Sequence, residues 1–471
     1  MAIRYKMNGR YAYETHNVWN KELKKYQTKW KYIGIVDPDT GIAAPKSASA
    51  APSKEKLIVD YGNTFALSEY CRLSGFASLI EKVFGTMANI VLALVCYRLI
   101  ESGGMNMAKE WYNGNYARVC YPNLDLSSQR ISEVLCQIGD EALWRKFFML
   151  YTQSVYSKNG VIIDSTGLPN DIGISLTALG HHGGVIENEI RMIMVVDRMS
   201  EEPLYFRYVA GNIVDVITLK TTMNELSALN INANYALLDA GYCSEDNIIA
   251  LYKAEISFLM RVPAGRLIYK EAVLKALPTL ETIENCVLYG ERILYIKHEK
   301  ITLYDEYEGY IYVCLDVKKK AEDLTRIMKN AINNKEKPEI TSEKLKTAGI
   351  FVLLSPDLVS KDELLKLYYM RQSAEKIFEI SKSYADILPL RVHKENTLRG
   401  ILMLNFIAVA IYKSLDKQLP DEFPLSNALI SLRTQKCKIF DIDNVIPSEP
   451  NRRQRLILKA ISDTVGKFSG A

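Results

Sequence analysis

The spacing of apolar and polar residues changes several times along this chain, and each change predicts a different kind of element. Tyr11–Thr15 and Lys29–Val36 alternate in strand fashion around the polar stretch Asn20–Lys25, the pattern of a β-hairpin. Pro38-Asp39-Thr40-Gly41 reads as a turn and Ala44–Ser53 as a small-residue linker with proline, so a first boundary falls near residue 58. From Phe65 to about Gln153 the period turns helical, with Leu67, Tyr70, Cys71, Leu73, Phe76, Leu79 and Ile80 at helix-like intervals. Ser127 or Ser128 is a natural N-cap within this stretch, because its hydroxyl can accept a bond from an otherwise unpaired amide. Residues 59–155 are therefore expected to form a helical domain behind a basic hairpin arm and linker at 1–58.

Beyond Gly160 short β-rich runs take over. Val161-Ile162-Ile163-Asp164, Met192–Asp197 and Leu204–Val209 read as strands, Val216–Leu229 as a helix and Tyr235–Asp239 as a strand. Asn247–Ala254 then reads as a helix and Ser257–Val262 as a strand. This is the order of a mixed α/β sheet, not of a doubly wound one. No glycine-rich phosphate loop of either common spacing occurs. Cys286–Tyr289, Ile293–Ile296 and Tyr310–Cys314 predict antiparallel strands, followed by a lysine-rich helix around 318–335. Gly349–Leu354 returns to a buried strand, and a long helix is expected from about Lys361. On this reading an α/β core over 156–264 and 346–415 is split by a β-rich insertion at 265–345, and 416–471 is a basic tail with helical character.

Composition narrows the class. The 471 residues exceed what one compact core usually holds, and 48% hydrophobic with 24% charged residues describes a soluble globular chain. The longest apolar runs, Ile90–Tyr97 and Ile401–Tyr412 (the second interrupted by Asn405), are shorter than the roughly 20 residues of a membrane span and read as buried helices. Charges run through Met1–Arg10, which argues against a secretory signal. The eight cysteines stand singly with no C-x-x-C pair, which argues for reduced thiols in a cytosolic compartment and against a zinc site. Net charge is only +4 but unevenly spread. Residues 1–60 carry 11 Lys/Arg against 6 Asp/Glu and residues 432–471 carry 8 against 4, so the middle of the chain sums to −5. Basic ends around an acidic middle suit a protein that grips a polyanion while holding metal with carboxylates.

Candidate chemistry begins with Asp164 and Asp239, each closing a short apolar run predicted as a strand. Neighbouring strand ends can bring two carboxylates together, although an Asp there is more often a turn former or helix cap. In the helix from Lys361, Tyr368, Arg371, Glu375 and Lys382 lie at offsets 0, 3, 7 and 14. At about 100° per residue all four fall within an arc of about 60°, beside an apolar stripe that can pack on a sheet. Taken alone, Arg371 and Glu375 form an ordinary i,i+4 pair. Other candidates carry less. His181-His182-Gly183-Gly184 lacks a nearby Cys or acid to complete a metal site, and Asp197 and Asp215 suit turns and caps. Asp171, Glu187 and Glu189 are spare carboxylates near Asp164, and Arg452-Arg453-Gln454-Arg455 suits a solvated surface or a tail contact.

The spacing of Tyr368, Arg371, Glu375 and Lys382 resembles the Y-x2-R-x3-E-x6-K motif of a large bacterial group of insertion-sequence DDE transposases. Val161–Gly167 (VIIDSTG), Gly211-Asn212 with Asp215, Leu237–Gly241 (LLDAG) and Gly349–Lys382 also look like that family, over roughly residues 60–415. The resemblance implies a ribonuclease H-like mixed sheet flanked by helices, interrupted by a β-rich insertion, with a helical N-terminal domain. It implies Asp164, Asp239 and Glu375 as catalytic residues and metal ligands, with Tyr368, Arg371 and Lys382 contacting DNA. The implied cofactor is Mg²⁺ as two ions, with Mn²⁺ able to substitute. Hard Mg²⁺ takes oxygen ligands, so three carboxylates suffice without His or Cys. The implied partners are double-stranded DNA, at transposon ends and target, and a second copy of the chain in a synaptic complex. The implied reaction is excision and insertion of a mobile element through a hairpin intermediate. The loop after Asp164 departs from the family's simplest pattern, since His181–Gly184 stands where a polar and basic run is more usual. Two other readings stay open at this stage: a metal-dependent nuclease on the same fold, and an inactive, domesticated descendant that only binds DNA.

Overall fold

The computed structural model describes residues 2–7, 9–36, 43–44, 57–182, 185–304, 306–334, 338–384, 394–441 and 444–464. The chain divides into two compact units, one of residues 1–58 with 438–446 and one of residues 59–437 with 447–471. The first unit is built on an antiparallel sheet in chain order, Ala2–Lys6, Tyr11–Asn20, Lys25–Val36 and Ala43–Ala44. Alternation makes its hairpin: Tyr13 opposes Tyr32 and Trp19 opposes Tyr26 across the long strands. The turn closes with Asn20 Oδ1 accepting from the amides of Glu22 and Leu23. The expected turn at Pro38–Gly41 and the linker from residue 45 to 53 lie outside the described residues.

One mixed sheet organises the second unit. Its strands are β1 (Val161–Pro169), β2 (Ala178–His182), β3 (Val185–Asp197), β4 (Pro203–Ala210), β5 (Tyr235–Leu238), β6 (Ser257–Val262), β7 (Cys286–Tyr289), β8 (Arg292–Leu303), β9 (Tyr307–Asp316) and β10 (Ile350–Ser355). Pairing runs β7-β8-β9-β10-β6-β5-β1-β3-β2, with β4 also on β3. β5 is parallel to both β1 and β6, whereas β3 is antiparallel to β1 and β10 to β6. Helices α1 (Asp215–Ala228) and α2 (Glu245–Lys253) make the crossovers into β5 and β6, and α3 (Lys361–Met370), α4 (Gln372–Glu379) and α5 (Glu395–Asp416) follow β10. All six residues of β10 are buried, as a near-continuous apolar strand covered on both faces should be. β10 pairs with β9 on one side and β6 on the other. The strands read from sequence as an insertion thus extend the same sheet without a break.

The region expected to be helical contains Gly62–Ser74, Phe76–Phe84, Ala88–Ile100, Ser128–Ile138 and Glu141–Val155, with Ser127 Oγ capping the fourth by accepting from the amide of Arg130. These helices share a core with the sheet. Trp144, Phe147, Phe148 and Tyr151 form one ring cluster with Phe206 of β4 and Phe406 of α5. Phe76–Ile100 and α5 are long and apolar enough to cross a membrane, longer than their apolar runs suggested. They are core helices, with 72% and 94% of the relevant windows buried inside the protein. α5 crosses Ser128–Ile138 so closely that a Cβ on Gly400 would overlap the Leu135 carbonyl. Gly400→Ala is therefore expected to destabilise the chain by about 1–3 kcal/mol through overpacking. A thermal melt that superimposes on that of the unaltered chain would contradict the close crossing.

The segment at 416–471 has helical character, with strands beside it. It holds helix Leu425–Arg433, strands Lys436–Asp441 and Asn444–Pro447, and helix Arg452–Ser462. The basic run opens that last helix, where Asn451 and Gln454 form a reciprocal capping box. Arg453 lies over the Phe423 ring at 5.2 Å.

Candidate active site

The strand carrying Asp164 does not end at the aspartate. β1 continues to Pro169 and pairs with β3 throughout, from Val161 opposite Asp197 to Pro169 opposite Glu189. β5 instead pairs with β1 only as far as Leu238 opposite Ile163. Asp239 is the next residue, so the parallel register brings it alongside Asp164 at the point where β5 stops. Two carboxylates stand together because one strand is shorter than its neighbour.

The expected long helix from Lys361 is divided. α3 ends at Met370, Arg371 joins it to α4, and Ile380–Tyr384 is a π-helical turn. The helical-wheel placement therefore does not extend to Lys382. Asn405 of α5 holds the π-turn: its side-chain amide nitrogen donates to the Ser381 carbonyl at 3.2 Å, and its Oδ1 accepts from Ser381 Oγ at 2.5 Å. The polar residue that interrupts the apolar run of α5 thus satisfies a buried carbonyl within the widened turn. Ala374, Ile377 and Phe378 are buried as α4 packs on β1 and β3, while the Glu375 side chain is 53% exposed.

Arg371 lies among the three carboxylates. Its guanidinium is 3.3 Å from Asp164 Oδ2, 3.6 Å from Asp239 Oδ1 and 2.8 Å from Glu375 Oε1. Asp164, Asp239 and Glu375 are thus brought together, but around a guanidinium. Among the described residues no three His, Cys, Asp or Glu side chains converge closely enough, as they stand, to hold a metal ion. Arg371 supplies the compensating charge between them. Burial pushes the Asp164 carboxyl up to about 7, against the pull of Arg371 and with the help of Asp239 and Glu375. Burial also works against the charge of Arg371, but the carboxylates outweigh it and its pKa rises. Asp239 Oδ1 is buried and has no hydrogen-bond partner. An aspartate oxygen with no hydrogen bond and only the Arg371 ion pair at 3.6 Å, next to the buried Asp164 carboxylate in an all-oxygen donor set, fits a hard divalent cation.

Lys382 donates to Thr166 Oγ1 of β1 at 2.8 Å. Burial lowers its pKa, with Glu189 opposing. Tyr368 stacks on Phe351 of β10, ring centroids 4.7 Å apart and planes at 16°. Tyr369 meets the same ring edge-on, with centroids 5.3 Å apart. His181 and His182 close β2, and Gly183 and Gly184 lie outside the described residues. Asp197 is the turn residue it was read to be, accepting from the amides of Ser157, Met199 and Ser200.

Asp215 is more than the cap expected of it. It sits in the first turn of α1, and its Oδ1 accepts from Ser165 Oγ at 2.6 Å and from Arg191 Nη1 at 3.1 Å. Arg191 Nη2 reaches Glu189 Oε1 at 3.3 Å. This nearly buried chain of charges backs the stretch of β1 that carries Asp164. It also explains a motif glycine, because a Cβ on Gly241 would meet Asp215 Oδ2 at 2.5 Å. The available signal was the i,i+2 spacing of Glu189 and Arg191, which puts both on one face of a strand. Their partner on α1 was not readable locally.

A mixed α/β sheet that sets two aspartates abreast, with a glutamate delivered by a helix packed on that sheet, defines an α/β protein with an all-carboxylate site. Residues 156–411 match the transposase DDE domain, and the chain belongs to this transposase family. Among solved structures, the synaptic complex of piggyBac transposase with hairpin DNA is similar at 11% sequence identity and a TM-score of 0.36, over 86% of this chain and 71% of that one. No curated protein matches the chain.

Proposed function

We propose that this chain excises and inserts a DNA element by cutting and rejoining phosphodiester bonds, with Asp164, Asp239 and Glu375 as its metal-holding catalytic carboxylates. One observation carries the reading: a single guanidinium touches all three carboxylates, drawn from three distant segments. The strand order β4-β3-β1-β5-β6, with β3 antiparallel to the others, supports a ribonuclease H-like sheet. Asp164 and Asp239 would hold Mg²⁺, or Mn²⁺ in its place, and Glu375 would complete the set by turning its exposed side chain away from Arg371. Two such ions, when bound, supply an activated oxygen nucleophile and stabilise the leaving oxygen. Arg371, relieved of part of its carboxylate load, offers a planar fork that binds a phosphate bidentately. Lys382 places a point charge beside β1, and the Tyr368 hydroxyl is a further phosphate donor. The Asp215–Arg191–Glu189 chain keeps β1 from drifting, which holds Asp164 in place.

The substrates are duplex transposon ends and target DNA, handled by two copies of the chain in the bacterial nucleoid. Water cuts one strand, and the freed 3′ hydroxyl attacks the opposite strand, closing a hairpin on the element and releasing the flanking DNA. A second water opens the hairpin before the 3′ hydroxyl attacks the target. Unstacking the end costs a few kcal/mol per step, and Arg371 and Lys382 offset it by holding crowded phosphates. The test is denaturing electrophoresis of a labelled end duplex with Mg²⁺. Arg371→Ala and Lys382→Ala are expected to nick but to lose hairpin formation or opening. Staggered double-strand breaks with no closed intermediate would overturn the hairpin route, and hydrolysis without joining would place the chain among nucleases.

A further inference from the structure

The N-terminal sheet has a face that the catalytic reading does not use. Register places Tyr11, Tyr13 and Trp19 of one strand and Tyr26, Trp30 and Tyr32 of the next on that face. One uninterrupted register from the turn, Trp19 opposite Tyr26 through Tyr13 opposite Tyr32, sets these rings on one side, and the pairing slips only beyond them, between Ala12 and Tyr13. The rings do not bury one another. Tyr13 meets Trp30 and Tyr32 edge-on, with centroids 5.9 and 5.4 Å apart, and Trp19 meets Tyr26 edge-on at 5.0 Å. Tyr26 remains 69% exposed, Trp19 48%, Tyr32 41% and Trp30 40%.

Cations lie over the inner rings, where a base would displace them toward its phosphate: Lys6 Nζ is 4.3 Å from the Trp30 ring and 5.5 Å from the Tyr13 ring, and the Arg4 guanidinium is 6.0 Å from Trp30. The opposite face carries Lys25, Lys29 and Lys31. Residues 1–36 hold 8 Lys/Arg against 2 Asp/Glu, a net +6. That charge selects a polyanion. An acidic peptide would answer the charge but leave the row of flat rings unused. Rings on a sheet stack on bases only where those bases are unpaired, because a duplex hides its base faces.

We propose that this sheet is a stacking platform for unpaired DNA. Bases lie on Tyr13, Trp30 and Tyr32, with Trp19 and Tyr26 at the outer end about 20 Å away along the strand, while Arg4 and Lys6 meet the phosphates. The choice of DNA rests on the function proposed above; the choice of a single strand rests on the sheet alone.

The test uses the full chain in EDTA, with fluorescein-labelled 20-mers of thymidylate and of uridylate, and a 20-base-pair duplex, read by anisotropy. The thymidylate 20-mer is expected to bind and to quench tryptophan emission. The double substitution Trp30→Ala, Tyr32→Ala is expected to weaken it roughly tenfold or more, with a much smaller change on the duplex. Trp30→Phe with Tyr32→Phe should retain binding. Trp19→Ala with Tyr26→Ala, at the outer end of the hairpin, gives an independent measure should the first pair disturb folding. Binding is read in EDTA and needs no metal, so loss of the catalytic reading would leave this one standing. Unchanged thymidylate binding in both aromatic double variants, or equal losses on single strand and duplex, overturns the platform. Tighter binding of the uridylate 20-mer overturns the assignment to DNA.

Discussion

Asp164→Asn and Asp239→Asn are each expected to lower Mg²⁺-dependent strand cleavage by about 10³-fold or more, because each removes a charge that would hold the ion at the reacting phosphate. Glu375→Gln should match them in activity. The stability effects should differ. Asp164 is buried at 7% exposure, and burial together with Asp239 and Glu375 outweighs the pull of the Arg371 guanidinium on its charge. Its neutral isostere relieves desolvation and repulsion, so metal-free Asp164→Asn is expected to melt above the unaltered chain. The Glu375 side chain is 53% exposed, and its substitution should leave the melt nearly unchanged. Cleavage is read on a denaturing gel and stability by thermal unfolding in EDTA. An Asp164→Asn chain that cuts within tenfold of the original rate would remove Asp164 from the catalytic set.

The second large effect is a pH dependence. Asp164 titrates at about 7 in the folded chain against an ordinary 3.8. Between those values the folded state holds a proton that the unfolded state has released. The raised pKa therefore favours folding at low pH, and that contribution is lost as pH rises through about 7, up to about 4 kcal/mol in all. A divalent cation competes with the same proton. Its apparent affinity is expected to climb by up to tenfold per pH unit on approach to 7 and to level off above. Unfolding from pH 5 to 8, in EDTA and in Mg²⁺, should show stabilisation by metal that grows with pH. Stabilisation that stays flat across the range would mean that the ion does not replace the Asp164 proton.

Much of this arrangement was legible because it is local. Apolar runs ending in Asp164 and Asp239 drew attention to two carboxylates, and the resemblance of the Tyr368-to-Lys382 spacing to a transposase motif pointed to the glutamate and its cations. Alternation and a polar break predicted the N-terminal hairpin. What was not legible depends on partners far along the chain. The break at Arg371 and the π-turn leave the apolar positions Ala374, Ile377 and Phe378 facing the sheet, so the period gives no warning of either. The turn is held by Asn405, which in sequence reads only as an interruption of an apolar run. β1 runs on through Ser165–Pro169 because β3 pairs with it, although the run itself loses its apolar character. Arg371 as the hub of the three acids was hidden behind a commonplace i,i+4 pair with Glu375. The sheet's passage from β6 through β10 into β9 is invisible to any window of sequence, since pairing partners are chosen by burial and not by adjacency.

That passage through β10 sets an order of events during synthesis. β1, β5 and β6 leave the ribosome well before residues 350–384, and long-range pairing costs loop-closure entropy before it is rewarded. Until the chain past residue 350 has emerged, α3 and α4 are missing from the sheet, and Asp164 faces neither Arg371 nor Glu375. A growing polypeptide that already carries both aspartates therefore lacks the arginine and the glutamate that meet them, and on the proposed function its capacity to cut would wait until the chain past Lys382 is free to fold.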